Sequence, residues 1–309
     1  MKVLLFIPTY NAVKGGHWLE LLNSIMTQTI TPYKTIIVDS DSGDETTNIA
    51  SDFSFNVVKI KKEEFNHGGT RNLAVKMAGD ADIVVFLTQD AILNNANALE
   101  RIIDVFINND DIAAAYGRQL PHLNANHLAT HARLFNYKEH SYVSEKNLIP
   151  TMGIKAAFIS NSFSAYRISS FKELGCFPNN TILCEDMFFA AKLILAGYKI
   201  AYVSDAEVRH SHNYSCTEEF KRYFDIGVFH NDEKWIRESF GGAGGEGKKF
   251  IISELKYLLK NSPSSIPQAF ISNGAKLLGY KFGQNYTKLP LKLRRALSMH
   301  KRYWDSVID

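Results

Sequence analysis

The sequence predicts an α/β protein built on a mostly parallel central sheet, with its ligand at the carboxyl ends of the strands. Three observations carry this. In the first half, the apolar, largely β-branched runs KVLLFIP, KTIIVDS, NVVKI and DIVVFLTQD alternate with HWLELLNSIMTQ, DETTNIASDF and GGTRNLAVKMAG, which have helical spacing or capping signals. That alternation describes strands covered by helices on both faces. The strand runs end in polar residues: Thr9, Tyr10 and Asn11 after the first, Asp39 to Asp44 after the second, and Thr88, Gln89 and Asp90 after the fourth. Ligands of such sheets lie outside the carboxyl ends of the strands. Finally, neither G-x-G-x-x-G nor G-x-x-x-x-G-K-[ST] follows a strand, so a dinucleotide fingerprint and a P-loop are both missing.

With 309 residues, 45% hydrophobic and 22% charged, the chain has ordinary globular composition and room for one large or two modest domains. The opening MKVLLFIPTYN has too short an apolar core for a signal peptide and reads as the first strand. No run approaches the ~18 apolar residues of a membrane-spanning helix, so a soluble or peripheral protein is expected. Cys176, Cys184 and Cys216 form no C-x-x-C pair and no even-numbered framework, which favours a reduced, cytoplasmic setting. The net charge of +3 conceals a basic tail: from Lys248 onward, twelve Lys and Arg face only Glu254, Asp305 and Asp309, leaving the remainder acidic. An anionic surface is one expected partner of this tail; a solvated helix face is the other reading.

Farther along, His67-Gly68-Gly69-Thr70-Arg71-Asn72 opens a helix. Its glycines would let backbone N–H groups approach a phosphate, and Arg71 would add charge, although a Gly-Gly turn before a helix is commonly structural. Glu185-Asp186 opens a run with apolar residues at Phe188, Phe189, Leu193, Ile194 and Leu195, a helix with carboxylates in its first turn. KIAYV, after a stop at Gly197, reads as a strand and delivers His210 and His212. Beyond Tyr214 the pattern is helical, with a packing face at Phe220, Tyr223, Phe224 and Phe229. FGGAGGEG (Phe240 to Gly247) reads as a linker or a mobile active-site loop. After it, Ile251, Leu255, Leu258 and Leu259 line one helix face.

These residues permit a definite chemistry. A sugar nucleotide loses a diphosphate, whose charge a divalent cation neutralises as a Lewis acid. Asp90 and either His210 or His212 are candidate ligands, and Mg2+ (or Mn2+) the candidate ion. Asp186 could act as general base on an acceptor hydroxyl, with Glu185 orienting the acceptor. Each has a duller reading. Asp90 could cap a helix, the acidic pair could serve the helix dipole, and His-x-His on a strand places its rings on opposite faces, so one ligand is expected rather than two.

The ordered set PTYN, VDSDSGD, GGTRN, TQD, ED and HSH resembles the inverting glycosyltransferases of the GT-A fold, family 2. The longer strings FNHGGTRN, YGRQLP, SNSFSAYR, GYKIAYV, HSHNYS and RYFDIGVFH resemble its bacterial rhamnosyltransferase branch. The resemblance implies a GT-A catalytic domain over residues 1–215 and a helical C-terminal extension with the basic tail over 216–309. It makes Pro8, Thr9, Tyr10, Asn11 and Asp39 a nucleoside pocket, with Ser40 where the family carries a second aspartate. Gly68 and Arg71 approach the donor phosphates. Gln89 and Asp90 stand in the metal-binding segment, which here keeps one carboxylate, with Gln89 toward the nucleotide sugar and Asp90 on the metal. Asp186 is the base, and His210 is the metal histidine. The implied reaction transfers a deoxysugar, L-rhamnose from dTDP-L-rhamnose, to a growing cell-surface polysaccharide or lipid-linked oligosaccharide. Phe163 or Phe188 could meet the sugar methyl. The implied setting is cytoplasmic, peripheral on the inner face of the bacterial cytoplasmic membrane, with no nucleic-acid partner. A UDP-hexose donor and a catalytically degenerate sugar-binding relative are the alternatives. A sugar-1-phosphate nucleotidyltransferase would need a Gly-rich basic loop after the first strand, where PTYNA stands.

Overall fold

A computed structural model describes residues 1–242 and 245–305. The four apolar runs are strands β1 (Val3–Thr9), β2 (Lys34–Asp39), β3 (Asn56–Lys59) and β4 (Ile83–Leu87), which pair in parallel. Helices α1 (Trp18–Met26), α2 (Thr46–Asp52) and α3 (His67–Met77) connect them. Strands β1 and β4 are apolar almost throughout because both sheet faces are covered there, while β3 lies at the edge and is only partly buried. Leu4, Phe6, Val84 and Phe86 enter one core, while Leu5, Ile7, Val85 and Leu87 enter the other. Pro8 is tolerated because pairing of β1 with β4 stops at Phe6, so its missing N–H interrupts no ladder there.

The sheet then grows in a way local pattern does not reveal. Strands β5 (Ile92–Leu93), β6 (Ile112–Leu120), β7 (Tyr142–Ser144), β8 (Phe163–Arg167) and β9 (Lys199–Arg209) complete nine strands in the order β3-β2-β1-β4-β8-β6-β9-β5, with β7 on β9. Strand β8 runs antiparallel between β4 and β6, whereas β6 and β9 are parallel. Helices α4 (Ala98–Asp104), α5 (His127–Asn136), α6 (Ile149–Met152), α7 (Ile168–Glu173) and α8 (Glu185–Leu195) lie between these strands. The β6–β9 register jumps from Gly117↔Val203 to Arg118↔Glu207, a bulge that re-aims the end of β9. Past it, Val208 and Arg209 pair with both β6 and β5, which carries His210 to the segment after β4.

The C-terminal region is α9 (Cys216–Asp232), α10 (Lys234–Phe240), α11 (Glu246–Asn261), α12 (Ile266–Gln284) and α13 (Leu291–Leu297). A capping box starts α9: the Ser215 hydroxyl accepts from the Glu218 N–H, and Glu218 accepts from the Ser215 N–H. Phe224, Val228, Phe229 and Trp304 join the same core as Leu4 and Phe86, so these helices share the sheet's apolar interior. Helix α12 meets α9 backbone to backbone, because a Cβ at Gly279 would lie 2.2 Å from the Phe220 carbonyl and one at Gly283 2.0 Å from that of Phe224. The stripe expected on α11 splits: Leu258 is buried, but Ile251, Leu255 and Leu259 are exposed, since α11 turns Phe250 and Ser253 toward α5. In the glycine-rich stretch, Ala243 and Gly244 lie outside the described residues.

Candidate active site

The carboxyl ends of β4 and β9 bring Asp90, His210 and His212 together. Asp90 Oδ2 lies 3.5 Å from His210 Nε2 and 3.8 Å from His212 Nε2. The opposite-face placement expected for the two rings is not what the fold shows: both lie within 4 Å of Asp90. Strand β9 ends at Arg209, so strict alternation of faces no longer applies and both rings reach the carboxylate.

The neighbours of His210 fix its tautomer. Its Nδ1 lies 2.9 Å from Gln119 Oε1, and Arg133 Nη1 donates to the same atom at 2.8 Å. A guanidinium only donates, so that atom is oxygen, and Nδ1 must carry the hydrogen. The Nε2 lone pair therefore faces Asp90. Burial pushes the ring's pKa down to about 3, which keeps it neutral, the form able to ligate a metal. Two neutral imidazoles and one carboxylate, with ligand atoms all within 4.8 Å of one another, fit a divalent cation. Gln119→Leu should lower Mn2+ affinity by roughly 10- to 100-fold in a direct titration, as loss of an outer-shell partner does. Gln119→Glu, which keeps an acceptor, should retain most of it. Equal affinity in all three proteins would refute this role.

The second centre is the start of α8, which Cys184 enters in the left-handed conformation (φ 59°). Glu185 is buried and pairs with Arg71 Nη1 at 3.1 Å; Asp186 is partly accessible. Asn161 joins the two carboxylates, its N–H donating to Asp186 Oδ2 at 3.1 Å and its Nδ2 to Glu185 Oε1 at 2.9 Å. Its own Oδ1 accepts from Ser164 Oγ and Tyr166 OH at 2.8 and 2.9 Å. Burial and then the Glu185 charge push the Asp186 carboxyl up to about 7. Burial also opposes ionisation of Glu185, but Arg71 and His67 outweigh it and hold that carboxyl below its ordinary range. One acid stays charged and the other is poised near neutrality, the separation that acid–base chemistry uses.

The fold gives Gly68, Arg71 and Glu185 other surroundings than those expected. Arg71 is 5% exposed, and its guanidinium is engaged by Glu185 and the His67 carbonyl. Glu185, itself 5% exposed, holds the site together from behind. A Cβ at Gly68 would lie 2.0 Å from the Pro178 carbonyl, so the glycine is demanded by that backbone contact. Phe163 is fully buried in the sheet and cannot line a sugar pocket, and Phe188 stands edge-on to Trp235 at 5.4 Å.

At the β1 and β2 ends, Asp39 is buried and accepts from Thr9 Oγ1 at 3.1 Å and from the Ser42 N–H at 2.9 Å, which ties the two loops together. Asn11 and Asp41 adopt left-handed conformations (φ 48° and 64°), a strain that tends to collect at functional sites. Tyr10 and Gln89 bond reciprocally, with Tyr10 N–H to Gln89 Oε1 at 2.8 Å and Gln89 Nε2 to Tyr10 O at 3.2 Å. The Tyr10 ring is 39% exposed with Lys62 Nζ 4.3 Å from its centroid, while Ser40 is buried beneath. On the other side, Asp225 Oδ2 accepts from the N–H groups of Met299 and His300, and His300 Nδ1 lies 3.3 Å from His67 Nε2, so the last turn closes over the start of α3.

Sequence reasoning missed Gln119, Arg133, Asn161 and Arg222. The strings YGRQLP, SNSFSAYR and RYFDIGVFH contain three of them, but nothing in their spacing marks a site. Arg222 lies over the Tyr214 ring, 5.8 Å from its centroid, and its charge is felt by His212, His67 and Cys184. Among the described residues no carboxylate pairs with it.

A carboxyl held near neutrality at a helix start, and a trio at the strand ends that could hold a divalent cation, suit transfer from an activated phosphate ester, and the fold is that of the GT-A glycosyltransferases. Mannosyltransferase PcManGT from Pyrobaculum calidifontis, solved in complex with GDP-Man and Mn2+, superposes with a TM-score of 0.57 at 20% identity, over 98% of this chain and 85% of that one. Residues 5–175 match glycosyl transferase family 2, and the chain belongs to that family. It is 54% identical to the O-antigen chain rhamnosyltransferase WbaN of Salmonella anatum, over 98% of this chain and 96% of that protein. It is also 54% identical to the O-antigen chain rhamnosyltransferase RfbN of Salmonella typhimurium, over 99% and 97% of the two chains.

Proposed function

We propose that this glycosyltransferase moves L-rhamnose from dTDP-L-rhamnose onto a growing, lipid-linked O-antigen chain, in one in-line displacement with inversion. The observation that carries the sugar assignment is the 54% identity to two O-antigen chain rhamnosyltransferases over nearly the whole chain. Catalysis belongs to residues 1–215; Asp186, His210 and His212 lie past the family match but within that span.

In this reading Asp186 takes the proton of the acceptor hydroxyl as its oxygen bonds to the anomeric carbon, and the bond from that carbon to the diphosphate breaks. The N–H groups of Asn161 and Met187 orient Asp186, which accepts from them at 3.1 and 2.8 Å. The charged Glu185 keeps Asp186 basic enough to act near neutral pH. Asp90, His210 and His212 would hold Mn2+ or Mg2+, and the nitrogen donors favour manganese because magnesium prefers oxygen. Such an ion, when bound, supplies Lewis-acid neutralisation of the diphosphate. Arg222, which lies over the Tyr214 ring and whose charge reaches His212, would add positive charge near the trio. The exposed face of Tyr10, with Asn11 and Gln89, offers the nucleoside a platform above Pro8, Thr9, Asp39 and Ser40. Among the described residues no helix is long and apolar enough to cross a membrane, so contact with the anionic inner leaflet would be peripheral.

A donor panel tests the assignment. An apolar pocket distinguishes a methyl from a hydroxymethyl by only ~1–3 kcal/mol, so preference should be finite. dTDP-rhamnose should turn over fastest, UDP-rhamnose detectably, and UDP-glucose or UDP-galactose little or not at all. A panel won by the UDP-hexoses would overturn the rhamnosyl reading and leave the family standing.

A further inference from the structure

Helix α12 is apolar on both sides. Its inner side, Ala269, Ser272, Gly279 and Gly283, is buried. The outer side carries Phe270, Ile271, Leu277, Leu278 and Phe282, each between 45% and 63% exposed. Their spacing of seven and four residues makes one continuous face. At its N-terminal end this face meets Ile251 and Leu255 of α11, which share a shallow groove with Phe270. A contiguous apolar face of this kind on a folded chain marks a contact surface.

The charge around it selects the occupant. From Leu255 to Trp304 the sequence contains no Asp or Glu. Lys256, Lys260, Lys281, Lys288 and Lys292 in that stretch are all exposed. A second copy of the chain, docked by a two-fold axis through this face, would bring these lysines against their own copies, and the acid that lines the groove, Glu254, is buried and bonded to Asn273 rather than turned out to meet them. An anionic bilayer complements both features, taking the apolar side chains at the acyl boundary and the ammonium groups among the headgroups.

We propose that the outer face of α12, extended by Ile251 and Leu255, lies in the interface of an anionic membrane. This deepens the peripheral-membrane reading above and rests on it, but replaces a charged tail with an inserted apolar face. Arg294 and Arg295 of that tail are already engaged, Arg294 Nε with the Leu289 carbonyl at 2.7 Å and Arg295 with Asp305. The arrangement also has a use. Helix α12 rests on α9, which begins at Cys216, four residues after His212, so the face proposed to meet the membrane is joined through one helix to the segment that carries both histidines.

The test is flotation of the full chain with phosphatidylethanolamine vesicles containing one quarter phosphatidylglycerol, at low and high salt. The proteins are wild type, the triple variant Phe270→Ser/Leu277→Ser/Leu278→Ser, and Lys288→Gln/Lys292→Gln. The three apolar residues are solvent-exposed, so the thermal melt and the turnover of a soluble acceptor analogue should stay unchanged. Wild type should bind and keep most binding at high salt. The triple variant should lose at least about tenfold in partitioning, since withdrawing even one such side chain from an apolar phase costs on that order, and the lysine variant should lose less. If the triple variant binds like wild type while salt or the lysine variant abolishes binding, the apolar-face proposal is overturned and the charged-tail reading survives. If wild type binds no vesicle, both fall. A concentration-dependent dimer that the triple variant dissociates would overturn the proposal in favour of self-association.

Discussion

Asp186→Asn should lower turnover by at least ~10²-fold, the usual consequence of removing a general base, with donor affinity close to wild type. The amide is nearly isosteric and can still face the N–H of Asn161, but it cannot take the acceptor proton. Wild type should also show an acidic limb in kcat/KM. Asp186, pushed up to about 7, holds its proton below that pH, so the basic form, and with it the rate, should fall about tenfold per pH unit below the midpoint. The limb should disappear in Asp186→Asn, whose residual rate should be flat with pH. Glu185 remains ionised beside Arg71 across this range and adds no limb. A variant retaining most of its activity would remove Asp186 from the reaction.

Removal of metal should be comparably severe. Lewis-acid stabilisation of a leaving diphosphate is worth several kcal/mol, on the order of 10²-fold or more in rate. Chelator should therefore abolish activity and Mn2+ or Mg2+ restore it. Asp90→Ala removes the only carboxylate of the trio and should raise the metal concentration needed for half-maximal rate, with turnover depressed even at saturation. Full activity in chelator would assign neutralisation of the leaving group to protein cations. Arg222 would then be the one to examine, because Arg71 is buried against Glu185.

How far the sequence disclosed this site depends on which contacts are local. Strands β1 and β4 were legible because a doubly covered parallel strand is apolar along its length, as Leu4 to Ile7 and Ile83 to Leu87 are, whereas the edge strand β3 showed only as the short run Val57-Val58. The position of α8 was legible from Glu185-Asp186 followed by apolar residues at helical spacing. The insertion of β8 between β4 and β6 was not, since strand order is set by partners distant in sequence. Convergence of both histidines depends on the bulge in β9 and on its end at Arg209, which composition does not encode. Arg71 was assigned to phosphate because a cation at a helix start suits an anion; its actual partner, Glu185, is 114 positions away. On α11, periodicity identified an apolar stripe but not what covers it, and the fold leaves Ile251, Leu255 and Leu259 exposed.

The central claim is a single displacement in which Asp186 activates the acceptor and the sugar passes directly from the diphosphate to it. The most direct test is NMR of the product formed from isotopically labelled dTDP-rhamnose and a synthetic acceptor, read for the configuration at the anomeric carbon. A configuration opposite to that of the donor is the predicted result. Retained configuration, or a glycosyl group trapped covalently on the protein, would contradict the account.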